Sequence, residues 1–403
     1  MLVASFTTIL PIETVKATSN TLYVGGSGSG NYTSIQSAIN DANPGDTVFV
    51  YNGTYYENVI INKTINLIGE DINGTIIDGN GSGSVVYISA DFVNISAFSI
   101  QNSGSSWNNA GIYVTSDYNT INSNTILNNY GNGILLSRYS SNNNIVGNNI
   151  SNNTRDGIWI DYSVNNNIIS SNTISNNQRY GITLYHSYSN NILNNIFELN
   201  NIVIRGYKKT YWTSHTIENN TLNGRPIRYY KNINNLVVPI DTSQVILANC
   251  TNFNIQGLNL LNKGENITLG FSSYNHIIGN NISNNKYHGI SLYSSNSNNI
   301  TSNNISNNDN GIYFHTSDLN NVIGNNISDN TNYGIYFEFI ASNSNNNIIG
   351  NTISNNNGGI WCQAQCYNNI IYHNNLINNT QNAYDMNTNF WNSDFGEGNY
   401  WSD

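Results

Sequence analysis

Charged side chains are scarce in this chain: Asp, Glu, Lys and Arg make up 9% of its 403 residues, against roughly 25% in ordinary soluble domains. The balance is acidic, a formal net charge of -10, which speaks against nucleic acid as a partner for the chain as a whole. Soft metal ligands are scarcer still. There are two methionines, one of them Met1, and six histidines scattered as His186, His215, His276, His288, His315 and His373. The clustered Cys, Met and His that copper favours are missing, and no spaced acidic loop of the calcium-binding kind is visible. The expectation is no metal and no cofactor. Three cysteines do not make a disulfide framework. Cys362 and Cys366 could pair, leaving Cys250 over, but three small buried apolar side chains is the simpler reading. Beyond the N-terminus no run approaches the roughly 18 apolar residues of a membrane span.

Asparagine fills the space left by charge, at about a fifth of the chain, with abundant Ser, Thr, Ile and Tyr. These residues repeat. Gly-Ile steps stand at Gly111, Gly133, Gly157 and Gly181, and resume at Gly289, Gly311, Gly334 and Gly359. A spacing of two dozen residues marks a solenoid. Two more columns run in phase. One is an Asn-Ile step at Ile145, Ile168, Ile192, Ile300, Ile348 and Ile370; the other is Asn/Thr-Ile-Ser-Asn-Asn around Ile150, Ile174, Ile282, Ile305, Ile327 and Ile353. Each apolar run is too short for a stable helix and rich in β-branched residues. The fold class that follows is all-β: a right-handed, single-stranded parallel β-helix with three short strands per rung. Stacked rungs about 4.8 Å apart would bury continuous Ile columns, and corner asparagines would hydrogen bond along the axis. Asn201 and Asn266 stand where other rungs have Gly, a substitution that a left-handed backbone would allow.

The ends differ from the middle. Leu2 to Ile12 is mostly apolar and Val15-Lys16-Ala17 resembles a small-residue cleavage site, so residues 1–17 read as a signal peptide or its remnant and the protein as exported. Residues 18–110 read as an N-terminal cap and first coils, with a capping helix between Tyr32 and Asn43. Residues 111–389 are the repeats, interrupted by a basic, aromatic insertion at about 205–244. Residues 390–403, with Phe390-Trp391 and Tyr400-Trp401, read as an aromatic C-terminal cap.

Ile35-Gln36-Ser37-Ala38-Ile39, Pro44-Gly45-Asp46-Thr47-Val48 and Gly53-Thr54-Tyr55 resemble the first coils of the pectin-lyase-like superfamily. The Gly-Ile and Asn-Ile rungs resemble the carbohydrate-binding and sugar-hydrolase (CASH) repeats. Asn223-Gly224-Arg225-Pro226-Ile227, Val245 to Cys250 and the ending Gly398-Asn399-Tyr400-Trp401-Ser402-Asp403 resemble the NosD-like β-helix proteins, common among archaeal surface proteins. The resemblance spans nearly everything after residue 20 and implies a β-helix. It also implies copper handling, which the scattered histidines do not support, or a plain surface role.

Alternation within Gly-Ile-X-Φ sends X outward. That column holds Tyr113, Trp159, Tyr313, Tyr336 and Trp361, candidate stacking platforms for a polysaccharide or cell-wall glycan. The next outward column holds Ser137, Asp161, Tyr185, Tyr293, His315, Glu338 and Gln363. Asp161, His315 and Glu338 are the candidates for acid–base chemistry, with His315 and Glu338 on adjacent rungs. In the insertion Arg205, Lys208, Lys209, Arg225, Arg228 and Lys231 account for six of the thirteen Lys and Arg, candidates for an anionic ligand. The function expected is a secreted or cell-surface protein with a structural or carbohydrate-binding role. A polysaccharide-modifying enzyme (lyase, epimerase or glycoside hydrolase) is the alternative. A flat aromatic face would favour binding; a cleft with paired acids or basic groups would favour the enzyme.

Overall fold

The structure is a computed structural model that describes residues 19–402 except 138, 163, 262–263 and 339–341; the leader-like segment 1–17 lies outside the described residues. It is a right-handed parallel β-helix, in two stacks of three-sided rungs. In the first stack one face runs from Thr21–Val24 to Thr216–Glu218, a second from Val59–Ile61 to Ile202–Arg205, and a third from Gly53–Tyr56 to Thr221–Leu222. Rungs pair in register, so that Ile112, Ile134, Ile158 and Ile182 form one inward column and Ile126, Ile150 and Ile174 another. All of these are fully buried.

The corners explain the asparagine. Each combines a left-handed residue with an inward asparagine behind it. Asn176, at φ 51°, makes the turn, and Asn177 enters the interior. The buried amide is saturated: Asn177 Oδ1 accepts the backbone N–H of Asn153 at 3.1 Å and its Nδ2 at 2.8 Å. Asn177 Nδ2 in turn donates to Ile150 O at 3.2 Å and to Asn200 Oδ1 at 3.1 Å. The same pattern runs through Asn124, Asn148, Asn172, Asn195 and Asn220 at a second corner. At a third it runs through Asn119, Asn143, Asn167 and Asn190 and ends on His215 Nδ1. Three equivalent ladders run through the second stack, as in Asn280, Asn303, Asn325, Asn351 and Asn374.

Three expectations need correction. The glycines of the Gly-Ile steps are not left-handed. They are there because rungs approach closely: a Cβ on Gly157 would sit 2.7 Å from Gly181 O and 2.8 Å from Ile174 Cγ2. Asn201 replaces Gly where its strand, Ile202–Arg205, is the last of its sheet. Second, Ile169 and Ile371, not Ile168 and Ile370, occupy the inward Asn-Ile column. Ile168 is 38% exposed, because the preceding Asn167 is the ladder residue and a one-residue shift reverses the face. Third, the Gly-Ile column is not continuous across the break. Thr221–Leu222 pairs antiparallel with Arg225–Lys231, which pairs parallel with Gln244–Ala248. The second stack's Gly-Ile sheet, ending at Gln381–Asp385, therefore continues the first stack's third face.

At the N-terminus the helix Ile35–Asp41 buries Ile35, Ala38 and Ile39. Ser34 caps it, and the Glu57 carboxylate accepts the N–H groups of Ile35 and Gln36 at 2.8 and 3.0 Å. At the other end Tyr400–Trp401 pairs with the last rung, and Trp401 packs on Trp391 at 5.5 Å between ring centres. Cys250, Cys362 and Cys366 are free and buried.

Adjacent asparagines should respond differently to substitution. Asn177→Ala strands the buried Asn153 N–H and takes one of two partners from the Ile150 carbonyl, and at roughly 1–3 kcal/mol per unsatisfied buried group it should cost about 2 kcal/mol in denaturant unfolding. Asn176→Gly, at an exposed left-handed position, should change stability by less than about 0.5 kcal/mol.

Candidate functional site

Because the Gly-Ile sheets of the two stacks are separate, their outward columns form two walls that converge. Where they meet, Thr183 and Val203 of the first and Thr268 and Ser291 of the second are at most 3% exposed. Away from the junction, Tyr113 and Trp159 on one wall and Tyr336 and Trp361 on the other are half-exposed. The five aromatic candidates thus split between the two walls.

The bottom of the cleft is a buried ion pair. Arg205, at the end of the last strand of the first stack's Gly-Ile sheet, contacts Glu265 of the second. Tyr180 donates to Glu265 Oε1 at 3.0 Å, and Ser291 and Thr268 to Oε2 at 3.3 and 3.4 Å. The Arg205 guanidinium also lies 4.8 Å from the Tyr293 ring centre. Burial favours the neutral acid at Glu265, but the adjacent Arg205 charge overcomes it and holds the carboxyl below its ordinary range. Nearby, Trp212 of the short helix Lys209–Thr213 packs on Gly270, where a Cβ would lie 2.1 Å from the indole, and on Tyr293 at 5.3 Å. Loss of either charge would leave the other buried and unpaired.

Two recesses open along the cleft. A cavity of about 210 Å³ on the first wall is lined by Trp107, Tyr113, Ser137, Arg155, Trp159 and Asp161. Arg179 covers the Trp159 ring at 5.5 Å. One rung further down, Tyr185 faces a cavity of about 470 Å³ whose opposite side carries Tyr293, Tyr313, His315 and Glu338. Glu338 accepts hydrogen bonds from both His315 Nδ1 and the Tyr313 hydroxyl. Although burial favours the neutral acid, these two donors hold its carboxyl below the usual value. His288 stacks on Tyr313 at 4.2 Å, and burial pushes its pKa down to about 4.

The structure brings His315 and Glu338 together as their adjacent rungs predict, and places Asp161 on the opposite wall. The insertion is largely committed internally. Arg205 is at the buried pair; Arg225 donates to the carbonyls of Ile240, Asp241, Thr242 and Asn259 at 2.8–3.1 Å. Arg228 lies 3.4 Å from Asp241, and Lys231 donates to His215 O. Lys208 and Lys209 are exposed, with Lys208 5.7 Å from both the Tyr207 and Tyr211 rings. Four of the six cations therefore hold the two stacks and their loop in place. Glu265, Tyr180 and Trp107 escaped notice in the sequence. Glu265 could have been found as the acid directly before Asn266, which replaces a repeat glycine.

This architecture defines the class: a right-handed parallel β-helix with an inter-stack cleft. Residues 69–222 match the family described as "Right handed beta helix region", and residues 230–403 match "Periplasmic copper-binding protein (NosD)". The two matches fall on the two stacks, the β-helix family on the first and the NosD family on the second. A stretch of 83 residues, 18% of this chain, is 41% identical to a probable pectinesterase/pectinesterase inhibitor 6 of Arabidopsis thaliana, and spans 15% of that protein's length. Among solved structures, the Azotobacter vinelandii mannuronan C-5 epimerase AlgE6 A-module is 15% identical (TM-score 0.39; 92% of this chain and 95% of that one covered). An alginate lyase from Paenibacillus sp. str. FPU-7 is 13% identical (TM-score 0.40; 81% and 94%). Such distant likeness says nothing about activity. The family description names copper, but the residues do not fit it. Among the described residues no three His, Cys, Asp or Glu side chains converge on one point. Cys366 instead accepts from Asn369 Nδ2 at 3.1 Å within the core.

One buried acid beside the cleft makes stability depend on pH. Asp156 is fully buried, accepts the Tyr180 N–H at 2.8 Å and lies 3.9 Å from Arg179. Burial, only partly offset by Arg179, pushes its pKa up to about 6. A raised carboxyl stabilises the fold while protonated, and that contribution is lost as pH rises through 6. Asp156→Asn should therefore be more stable than wild type at pH 8, by on the order of 2–3 kcal/mol. Its advantage should vanish towards pH 4. Buried His215 and His288, each pushed down to about 4 by burial, act in the opposite sense but cancel in this difference. Melting temperatures of both proteins across that range check it.

Proposed function

We propose that the protein binds a polysaccharide chain in the cleft between its two stacks. The observation that carries this reading is the pair of aromatic-lined recesses beside the meeting of the two walls. Trp107, Tyr113 and Trp159 line the smaller, and Tyr185, Tyr293 and Tyr313 line the larger. Aromatic faces match the apolar faces of sugar rings, while carboxylates, amides and guanidinium groups match their hydroxyls. The larger cavity, about 470 Å³, lies within the roughly 300–1,000 Å³ of small-ligand sites. Asp156, Asp161, Glu265 and Glu338 stand against Arg155, Arg179 and Arg205, so the site has no excess of positive charge. That favours a neutral glycan over the anionic ligand suggested by the insertion's composition.

The protein acts outside the cytoplasm, in an extracellular or periplasmic setting. Support comes from the apolar leader-like segment and from the periplasmic description of the matched family. No helix among the described residues is long and apolar enough to cross a membrane.

A second reading, a polysaccharide-modifying enzyme, is favoured by one observation: the cleft holds a carboxylate, Glu338, hydrogen bonded by a histidine and a tyrosine. Reducing-sugar or unsaturated products formed by wild type and lost in Glu338→Gln would establish it. For binding, Trp159→Ala should weaken affinity for a glycan identified on an array about tenfold, the equivalent of about 1.4 kcal/mol. Tyr56→Ala, at an exposed tyrosine of the first coil, should leave affinity unchanged. Equal retention of wild type and Trp159→Ala on that glycan would contradict the reading.

A further inference from the structure

The cleft is closed in a way that binding alone does not require. Its bottom is sealed by Arg205 on Glu265. One flank is sealed as well, where the strands of both walls begin. There Tyr180 packs on Tyr287 with 4.5 Å between ring centres, Arg179 Nε donates to the Tyr287 hydroxyl at 3.4 Å, and Lys286 Nζ donates to Gln178 O. Among the described residues the opposite flank, where the strands end at Tyr185 and Glu338, is open, and the exposed ring of Tyr207 stands beside it. A polymer that entered along the bottom of the cleft from the open flank would meet the Arg179–Tyr287 bridge and stop.

We infer that the cleft recognises the end of a neutral polysaccharide chain, with the terminal sugar in the cavity bounded by Tyr185, Tyr313, His315 and Glu338. The inference rests on the glycan-binding reading above and adds the mode of entry. The larger cavity, which reaches Arg205 and Tyr293 at the bottom, lies at the open flank and is the space a chain end would fill before the bridge stops it. Glu338, fixed by His315 and Tyr313, faces it with a carboxylate oxygen able to accept from sugar hydroxyls, including one that exists only at a chain terminus. The Asp161 and Trp159 recess lies one rung, about 4.8 Å, above Tyr185. It would hold a following sugar against the indole.

Chain length separates end-on binding from binding along the chain. Wild-type protein is first tested against cello-, laminari-, manno- and chito-hexaose by calorimetry. The parent polymer of the best binder is then hydrolysed to fractions spanning a tenfold range of mean length, and protein bound at saturation is measured per gram. End-on binding predicts a tenfold rise in bound protein from the longest fraction to the shortest, because ends per gram scale inversely with length. Bound protein per gram that stays constant across the series overturns end recognition while leaving the cleft a glycan site. Binding to none of the four hexaoses overturns the inference together with the neutral-glycan reading beneath it. Glu338→Gln should lower hexaose affinity at least fivefold; an unchanged affinity would also overturn the assignment of the terminal sugar to that cavity.

Discussion

Everything in this protein depends on the side-chain amide that enters each corner. A parallel stack needs its rungs in register, and apolar columns alone fix register weakly, because one isoleucine packs on another almost as well when displaced. The ladder asparagine is less tolerant. Its Oδ1 takes the N–H of the residue below and its Nδ2 finds a carbonyl, so displacement leaves buried donors and acceptors without partners, at roughly 1–3 kcal/mol each. With a ladder at all three corners the rung can close in one way, and the isoleucines follow. The price in composition is an asparagine content no ordinary core would tolerate.

The cleft follows from an interruption of this rule. Where the first stack ends, one ladder finishes on His215, the chain reverses through an antiparallel pair, and a second set of ladders begins. The reversal joins one face of the first stack to a different face of the second, which turns the two aromatic columns towards each other. A buried Arg205–Glu265 pair and its tyrosine and hydroxyl partners occupy the meeting point. Such a pair adds little net stability over well-packed apolar residues, but a misplaced arrangement would strand a charge. It therefore fixes how the two stacks meet, and with that the shape of the site.

Much of the fold was legible in the sequence because strands and corners are local: the columns, the three-strand rung, the capping helix and the asparagine ladders all follow from spacing and side-chain chemistry. The errors arose where one residue's role depends on another rung. Glycine in the Gly-Ile steps reads as a turn residue until the next rung's carbonyl is seen 2.6 and 2.7 Å from its missing Cβ at Gly133 and Gly157. Ile168 and Ile169 are indistinguishable until Asn167 is assigned to the ladder. For the site, the outward residues and the His315–Glu338 neighbourhood could be read from alternation. The cleft could not, since the pairing of Thr221–Leu222 with Arg225–Lys231 and the long-range contact to Glu265 leave no periodic trace. The same applies to the basic insertion, whose cations are bound to carbonyls and acids that composition does not reveal.

Side-chain amide exchange tests the central claim most directly. Nuclear magnetic resonance with residue assignment distinguishes the Nδ2 protons of inward asparagines such as Asn148, Asn172 and Asn195 from those of left-handed corner asparagines such as Asn152 and Asn176. Ladder amides should exchange with solvent orders of magnitude more slowly than corner amides, and about as slowly as the backbone N–H groups of the buried strands. Equal, rapid exchange of both sets would mean that the buried amides do not hold the rungs in register, and the account of the fold would be wrong.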